Sequence, residues 1–185
     1  GNKPVILILG GSQGAQRIND KVLEILEEFL KEFELIHQCG DKNFKEVRAE
    51  SRAVVNPETE MAYHLFPFLK EEEIKQAYAI SDLIISRAGS GSIFEIAAAG
   101  KPIILVPLPE SAQNHQIKNA YAFAQPGACQ VLEEPNFTPH FFLEKLKYLF
   151  SSPQELEKMA KAALNFSKPE AAKTIAERLV SYSIK

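Results

Sequence analysis

Cysteine is scarce in this sequence, with two in 185 residues, and the pair has no metal-ligand spacing. A disulfide framework and a thiolate metal site are both excluded by that count. Cys39 and Cys129 each end or sit in an apolar run, where a buried, reduced thiol is expected. Basic runs are also missing. The formal net charge is −3, so the positive stripe that nucleic-acid binding requires is not supplied. No apolar stretch approaches the roughly 20 residues of a membrane span, and the first residues carry no signal-peptide pattern. The expectation is therefore a cytoplasmic protein without a transmembrane segment. Asp20, Asp41 and Asp82 form no D-x-D pair or carboxylate cluster suited to Mg²⁺. A lysine after the glycines of residues 10–14 would mark a P-loop and is absent, as is G-x-G-x-x-G, so neither an ATPase nor a dinucleotide dehydrogenase is favoured.

What is present is alternation. Hydrophobic content of 45% and charged content of 24% are those of an ordinary protein of one domain. Pro4 to Leu9 is wholly apolar, as in a parallel strand buried on both faces. A helix from about Ala15 to Lys31 follows, with Ile18, Val22, Ile25, Leu26 and Phe29 at helical spacing. Further strands are predicted over 34–38, 63–68 (interrupted by Pro67), 82–86, 103–106 and 128–132. Helices are predicted to about Arg52, over 71–79 and 92–99, through Asn119 to about Ala124, and then over 138–151, 153–165 and 170–183. Six alternations give an α/β fold, a Rossmann-like parallel sheet of about six strands with helices on both faces. Ligands bind such sheets outside the carboxyl ends of the strands.

Three polar loops are expected on that rim: 10–14, 86–92 and 107–116. In the second, Gly89 and Gly91 precede a helix whose first N–H groups would suit a phosphate. Glu95, one turn in, could accept from the vicinal hydroxyls of a ribose. Alternatively Ser92 and Glu95 are a capping box, a device repeated at Ser152–Glu155 and Ser167–Glu170. The convergence of three loops on one rim favours the ligand. In the first loop Gly11, Ser12 and Gly14 could present N–H groups and a hydroxyl to a phosphate. The same residues fit G-x-S-x-G, the nucleophile elbow of α/β-hydrolases, but that elbow normally follows several strands, not the first. In the third loop Gln116 and Asn119, three apart on one helix face, carry amides that suit sugar hydroxyls; a merely polar helix start is the rival. Arg87 could meet a diphosphate or pair with a nearby carboxylate or carbonyl. His37, His64 and His140 are scattered and read as structural.

Taken together, Gly10–Ala15 with Asn19, Ser86–Ser92 with Glu95–Pro102, and Asn114–Gln116 with Asn119–Ala120 resemble the C-terminal, donor-binding half of the MurG family. These are the glycosyltransferases that add N-acetylglucosamine to a lipid-linked peptidoglycan precursor. The resemblance implies half of a GT-B fold and a UDP-GlcNAc donor, with no tightly bound metal or other cofactor. It places Gly11, Ser12 and Gly14 near the diphosphate, with Ser90, Gly91 and Ser92 along it beside Gly89, Arg87, Ile93 and Phe94. It further implies that the backbone of Leu69 receives the uracil, Glu95 the ribose, and Gln116 and Asn119 the GlcNAc hydroxyls.

Family members usually carry an acceptor domain with the expected catalytic base, and nothing in these residues corresponds to it. No catalytic residue is therefore assigned in this chain. It is expected to be an excised donor domain that works with an N-terminal acceptor domain and a lipid-linked acceptor, at the cytoplasmic face of the membrane. The alternative is a stand-alone nucleotide-sugar-binding subunit needing a separate partner, as in the split eukaryotic transferase acting on dolichol-linked sugar. His115, where many relatives have glutamine, is a departure from the family pattern.

Overall fold

A computed structural model describes residues 3–10 and 16–183, with side-chain surroundings through residue 182. Six strands form one parallel sheet: β1 (Val5–Leu9), β2 (Glu34–Gln38), β3 (Tyr63–Phe66), β4 (Leu83–Ser86), β5 (Ile103–Leu105) and β6 (Gln130–Val131). Their order is β3-β2-β1-β4-β5-β6. Eight α-helices are described: α1 (Gln16–Glu32), α2 (Phe44–Val54), α3 (Glu71–Ile80), α4 (Ser90–Ala99), α5 (His115–Ala124), α6 (Pro139–Phe150), α7 (Pro153–Phe166) and α8 (Ala171–Ser183). None is long and apolar enough to cross a membrane.

The strands read as continuous apolar runs because both faces of the sheet are covered. On β1, Ile6 and Ile8 face one core with Ile18, Val22, Leu26 and Phe29 of α1 and Phe142 and Leu146 of α6. Leu7 and Leu9 face the other, with Tyr78 of α3, Ile93, Ile96 and Ala97 of α4, Phe123 of α5 and Ala163 of α7. Each large side chain so buried contributes roughly 1.5–3 kcal/mol relative to exposure. Register is set by this burial, with Ile6 beside Leu35 on β2 and Leu83 on β4. A slip of one residue would turn every pair to the wrong layer.

Several boundaries differ from the sequence expectation. Helix α4 begins at Ser90 rather than Ser92, with Gly89 as its N-cap. Ser92 is thus the third helical residue, and Glu95 lies too deep to serve as the third residue of a capping box. Ser167 does not open α8; it ends α7, its hydroxyl donating to the Leu164 carbonyl at 2.7 Å. Ser152 does cap α7, but without a side-chain hydrogen bond. Strand β3 stops before Pro67 and β6 is only two residues long, as an edge strand paired on one side needs no greater length. Helix α4 ends at Gly100, in the left-handed region (φ 63°), where Leu164 of α7 packs over the position a Cβ would take.

Candidate functional site

The strand order reverses between β1 and β4, whose following connections run to opposite sides of the sheet. Ligands of open parallel sheets bind in the crevice at such a switch point. Strand β1 ends there at Leu9, and the loop after β4 opens there. Gly11, Ser12 and Gly14 lie outside the described residues; Gly10, which leads into them, donates its N–H to the Gln38 carbonyl at 2.9 Å.

The loop after β4 is tied to α5. Ala88 is fully buried, and its carbonyl accepts Nδ2 of Asn119 at 3.1 Å. Gly89 starts α4 in extended geometry, and the first intrahelical bond runs from the Ile93 N–H to the Gly89 carbonyl at 3.0 Å. The N–H groups of Ser90, Gly91 and Ser92 precede that bond, so the helix itself gives them no acceptor. A Cβ on Gly91 would meet nothing within 4 Å. Neither packing nor a positive φ demands glycine there, which leaves close approach from outside as the physical use of the missing side chain.

Beside this helix start lies a cleft of about 820 Å³ between α3 and α4. Its walls include Leu9, Gln38, Phe68, Leu69, Tyr78, Ser92 and Glu95. Glu95 is exposed to it. On the opposite wall Tyr78 is largely buried, and that burial, with the Glu95 carboxylate close by, pushes its phenol well above the usual tyrosine range. Leu69 donates its N–H to Oε1 of Gln38 at 2.9 Å, which pins the turn after β3 to the end of β2. Leu69, Ser92 and Glu95 are thus brought together, along one wall or the other of a single cleft.

Other expected residues are placed differently. Ile93 is 3% exposed and packs in the core, and its N–H is spent on the helix. Phe94 turns away from the cleft and stacks on Phe166 of α7, ring centroids 5.7 Å apart. Arg87 pairs with Glu134 and donates to the Val106 carbonyl at 3.2 Å. Its side chain is 13% exposed and that of Glu134 is 11% exposed. Arg17 of α1 bridges Glu134 at 2.6 Å and Glu110 at 2.9 Å, so α1, the loop after β5 and the turn after β6 are held by one charged cluster. Of the two open alternatives for Arg87, the carboxylate partner is thus present.

Gln116 and Asn119 stand on α5 as expected, and each gives half of its amide to the scaffold. Gln116 accepts the Leu108 N–H at 3.0 Å, while Asn119 donates to Ala88. The Nε2 of Gln116 and the Oδ1 of Asn119 remain without a partner among the described residues. Gln113 and Asn114, just before α5, both adopt positive φ (51° and 56°). His115 turns back to cap this segment, its Nδ1 2.7 Å from the Ala112 carbonyl.

His37 is structural. It is fully buried between Oδ1 of Asn19 and the Tyr63 hydroxyl, each at 3.0 Å, and burial pushes its pKa down to about 3. Asn19 also donates to the Cys39 carbonyl at 3.0 Å, fastening α1 to the end of β2. Burial likewise pushes the Cys39 thiol up to about 11 and the Cys129 thiol up to about 12, so neither is a ready thiolate. Among the cleft residues that sequence reasoning missed are Gln38 and Tyr78. A glutamine closing an otherwise apolar strand at the ligand end of the sheet was the available signal for Gln38.

The chain is similar to proteins that share this geometry. It is 34% identical, over 98% of its length, to the UDP-N-acetylglucosamine--N-acetylmuramyl-(pentapeptide) pyrophosphoryl-undecaprenol N-acetylglucosamine transferase of Treponema denticola. It is 38% identical, over 86% of its length, to the protein of the same name from Clostridium tetani. It spans 48% and 42% of those two proteins, about half of each. The crystal structure of Acinetobacter baumannii MurG superposes with a TM-score of 0.81 at 29% identity, over 97% of this chain and 52% of that one. The sheet and its helices are therefore those of the C-terminal half of a GT-B glycosyltransferase. A UDP-GlcNAc 2-epimerase from Neisseria meningitidis bound to UDP-GlcNAc shares the fold alone, with a TM-score of 0.66 at 21% identity over 97% of this chain and 44% of that one. The model of the glycosyltransferase family 28 C-terminal domain matches residues 5–178, and the chain belongs to that family.

Proposed function

We propose that the chain is the donor-binding half of an inverting UDP-N-acetylglucosamine transferase acting on a lipid-linked peptidoglycan precursor. The observation that carries this reading is the start of α4, where the N–H groups of Ser90–Ser92 have no acceptor within the helix, beside a cleft at the switch point of the sheet that Ser92 and Glu95 line. The N–H groups and dipole of α4 face the diphosphate, and their attraction for negative charge is worth about 0.3–1 kcal/mol, nearer 2 when partly buried. Glu95, five residues into the helix and free of any capping duty, accepts from the two ribose hydroxyls. The unused halves of the Gln116 and Asn119 amides, one donor and one acceptor, meet the sugar.

In the transfer an acceptor hydroxyl attacks the anomeric carbon from the face opposite the diphosphate, and the diphosphate leaves with the electron pair. Negative charge grows on the leaving oxygens in the transition state, where preoriented N–H groups are most effective. The base that takes the acceptor proton belongs to a second, N-terminal domain, as does the surface that receives the lipid. The relatives' names and their roughly double length support that division.

Calorimetric titration with UDP-GlcNAc, UDP-glucose and UMP, with and without Mg²⁺, tests the reading. UDP-GlcNAc is expected to bind tightest, and Mg²⁺ to leave its affinity unchanged. Failure of every uridine nucleotide to bind would overturn the assignment. Transfer to a lipid-linked acceptor by this chain alone would overturn the placement of the base in another domain.

A further inference from the structure

Strand β3 is the last in the sheet and pairs only with β2. Phe66 turns its backbone toward β2, its carbonyl accepting the Cys39 N–H at 3.0 Å, and His64, two residues earlier, turns the same way. Tyr63 and Leu65 therefore turn theirs outward. Tyr63 spends its N–H on the Glu60 carbonyl, which leaves the Tyr63 carbonyl and both backbone groups of Leu65 facing away from the sheet. Open edges are commonly guarded by lysine, proline or a bulge. Residues 63–66 contain neither lysine nor proline, and their register with β2 is unbroken.

A groove of about 410 Å³ runs along this edge, with Phe44, Arg48 and Arg52 of α2 on one side and Tyr63 and Leu65 on the other. Val55 and Tyr63 pack on the core layer of α1, whereas Leu69 and Tyr78 of the donor cleft pack on the opposite layer. The groove and the cleft thus lie on different faces of the sheet. Arg48 and Arg52 are exposed, and neither has a carboxylate partner among the described residues. The Arg48 guanidinium lies over the Phe44 ring, 5.8 Å from its centroid, which holds it at the groove. Glu60 lines the same groove and pairs with neither arginine.

We propose that this edge docks an extended segment of a partner protein with acidic residues at alternate positions. Lying beside β3, the segment pairs its backbone with the N–H and carbonyl of Leu65 and with the Tyr63 carbonyl. Every second side chain then enters the groove, successive ones about 6.6–6.8 Å apart. Arg48 and Arg52 stand one helical turn apart, about 6 Å along α2. Two carboxylates at positions i and i+2 of the segment therefore reach both arginines. A second copy of this chain is a poor occupant. A two-fold pair made through β3 sets α2 beside α2, with the arginines of one copy against those of the other. Charge favours an acidic strand.

The probe is a capped peptide of alternating valine and glutamate, seven residues long, titrated into the chain by calorimetry. Two further peptides separate charge from backbone pairing: one with lysine in place of glutamate, and one N-methylated throughout. The glutamate peptide should bind one to one, and the other two should not bind measurably. The double variant Arg48→Gln, Arg52→Gln changes only exposed side chains and should weaken binding about tenfold. Saturating UDP should leave the peptide affinity unchanged, because the donor cleft is on the other face. No binding of the glutamate peptide by wild type would overturn the proposal, as would equal binding of the lysine peptide or an unchanged affinity in the double variant. Competition by UDP would place the peptide in the donor cleft and overturn it too. A dimer in sedimentation that the peptide dissociates would give the edge to a second copy instead.

Discussion

Asn119 donates its side-chain N–H to the carbonyl of Ala88 at 3.1 Å, and this bond ties α5 to the turn between β4 and α4. The turn has no side-chain cap of its own at Gly89, so its position against the sheet depends on contacts of this kind. Asn119→Asp replaces the donor with an acceptor-only carboxylate facing a carbonyl. A loss of about 1–3 kcal/mol of stability is expected in urea unfolding. An unchanged midpoint and slope would show that the turn is held without Asn119.

Glu95 separates binding from stability. Because α4 starts at Ser90, Glu95 caps nothing, and Glu95→Gln should leave the unfolding free energy within about 0.5 kcal/mol of wild type. UDP affinity should fall by about 1–3 kcal/mol, since ribose hydroxyls lose a charged acceptor. Calorimetry on the variant that showed the opposite, stability lost and affinity kept, would return Glu95 to a structural role.

His37 makes stability depend on pH. Its folded pKa is about 3, below the unfolded value near 6.5. Below pH 6.5 the unfolded chain takes up a proton that the folded chain refuses. Its contribution is therefore fully present above pH 6.5 and lost as pH falls from 6.5 toward 3, by about 2 kcal/mol at pH 5. Thermal unfolding of wild type and His37→Gln between pH 7.5 and 5 should show the shallower decline in the variant. Parallel curves would remove His37 as the source.

Two of the ion pairs in the rim cluster should differ in cost. Glu134 faces Arg87, and both side chains are nearly buried. Glu134→Ala leaves a buried guanidinium without its counter-charge, which should cost about 3–5 kcal/mol. Glu110 pairs with the exposed Arg17, and Glu110→Ala should cost far less, because solvent screens an exposed pair. Chemical denaturation of both variants measures the contrast, and equal effects would mean that burial of the Arg87 pair contributes nothing.

Gly100 is required by its backbone. At φ 63° an alanine pays roughly 1–2 kcal/mol for the left-handed conformation. The added Cβ would also lie 2.7–2.9 Å from the side chain of Leu164. Leu164 is half exposed and can swing aside, so the backbone term should dominate. Gly100→Ala combined with Leu164→Ala should recover only a small part of the lost stability.

Elements bounded by covalently special residues were legible in the chain itself. Strand β2 ends ahead of Gly40 and β3 ahead of Pro67, and α4 stops at Gly100 because that residue accepts a left-handed turn. The start of α4 was not legible. Ser92 and Glu95 have the spacing of a capping box, and so do Ser167 and Glu170, but a cap is defined by the φ and ψ of the residue that carries it. In this protein Gly89 takes the cap position ahead of Ser92, and Ser167 closes a helix instead of opening one.

The same division holds for the site. Apolar periodicity, which depends only on neighbouring positions along the chain, determined the alternation of strands and helices and hence the rim on which Ser90–Ser92, Gln116 and Asn119 stand. Which of those groups remain available to a ligand is decided by partners far away in sequence. Arg87 meets Glu134 across 47 positions, Gln38 meets Leu69 across 31, and His37 is enclosed by Asn19 and Tyr63. Hydrogen bonds and ion pairs act over about 3 Å. No local pattern predicts which side chains the packed layers will bring within that distance, so the composition of the rim could be read from the chain and its chemistry only from the fold.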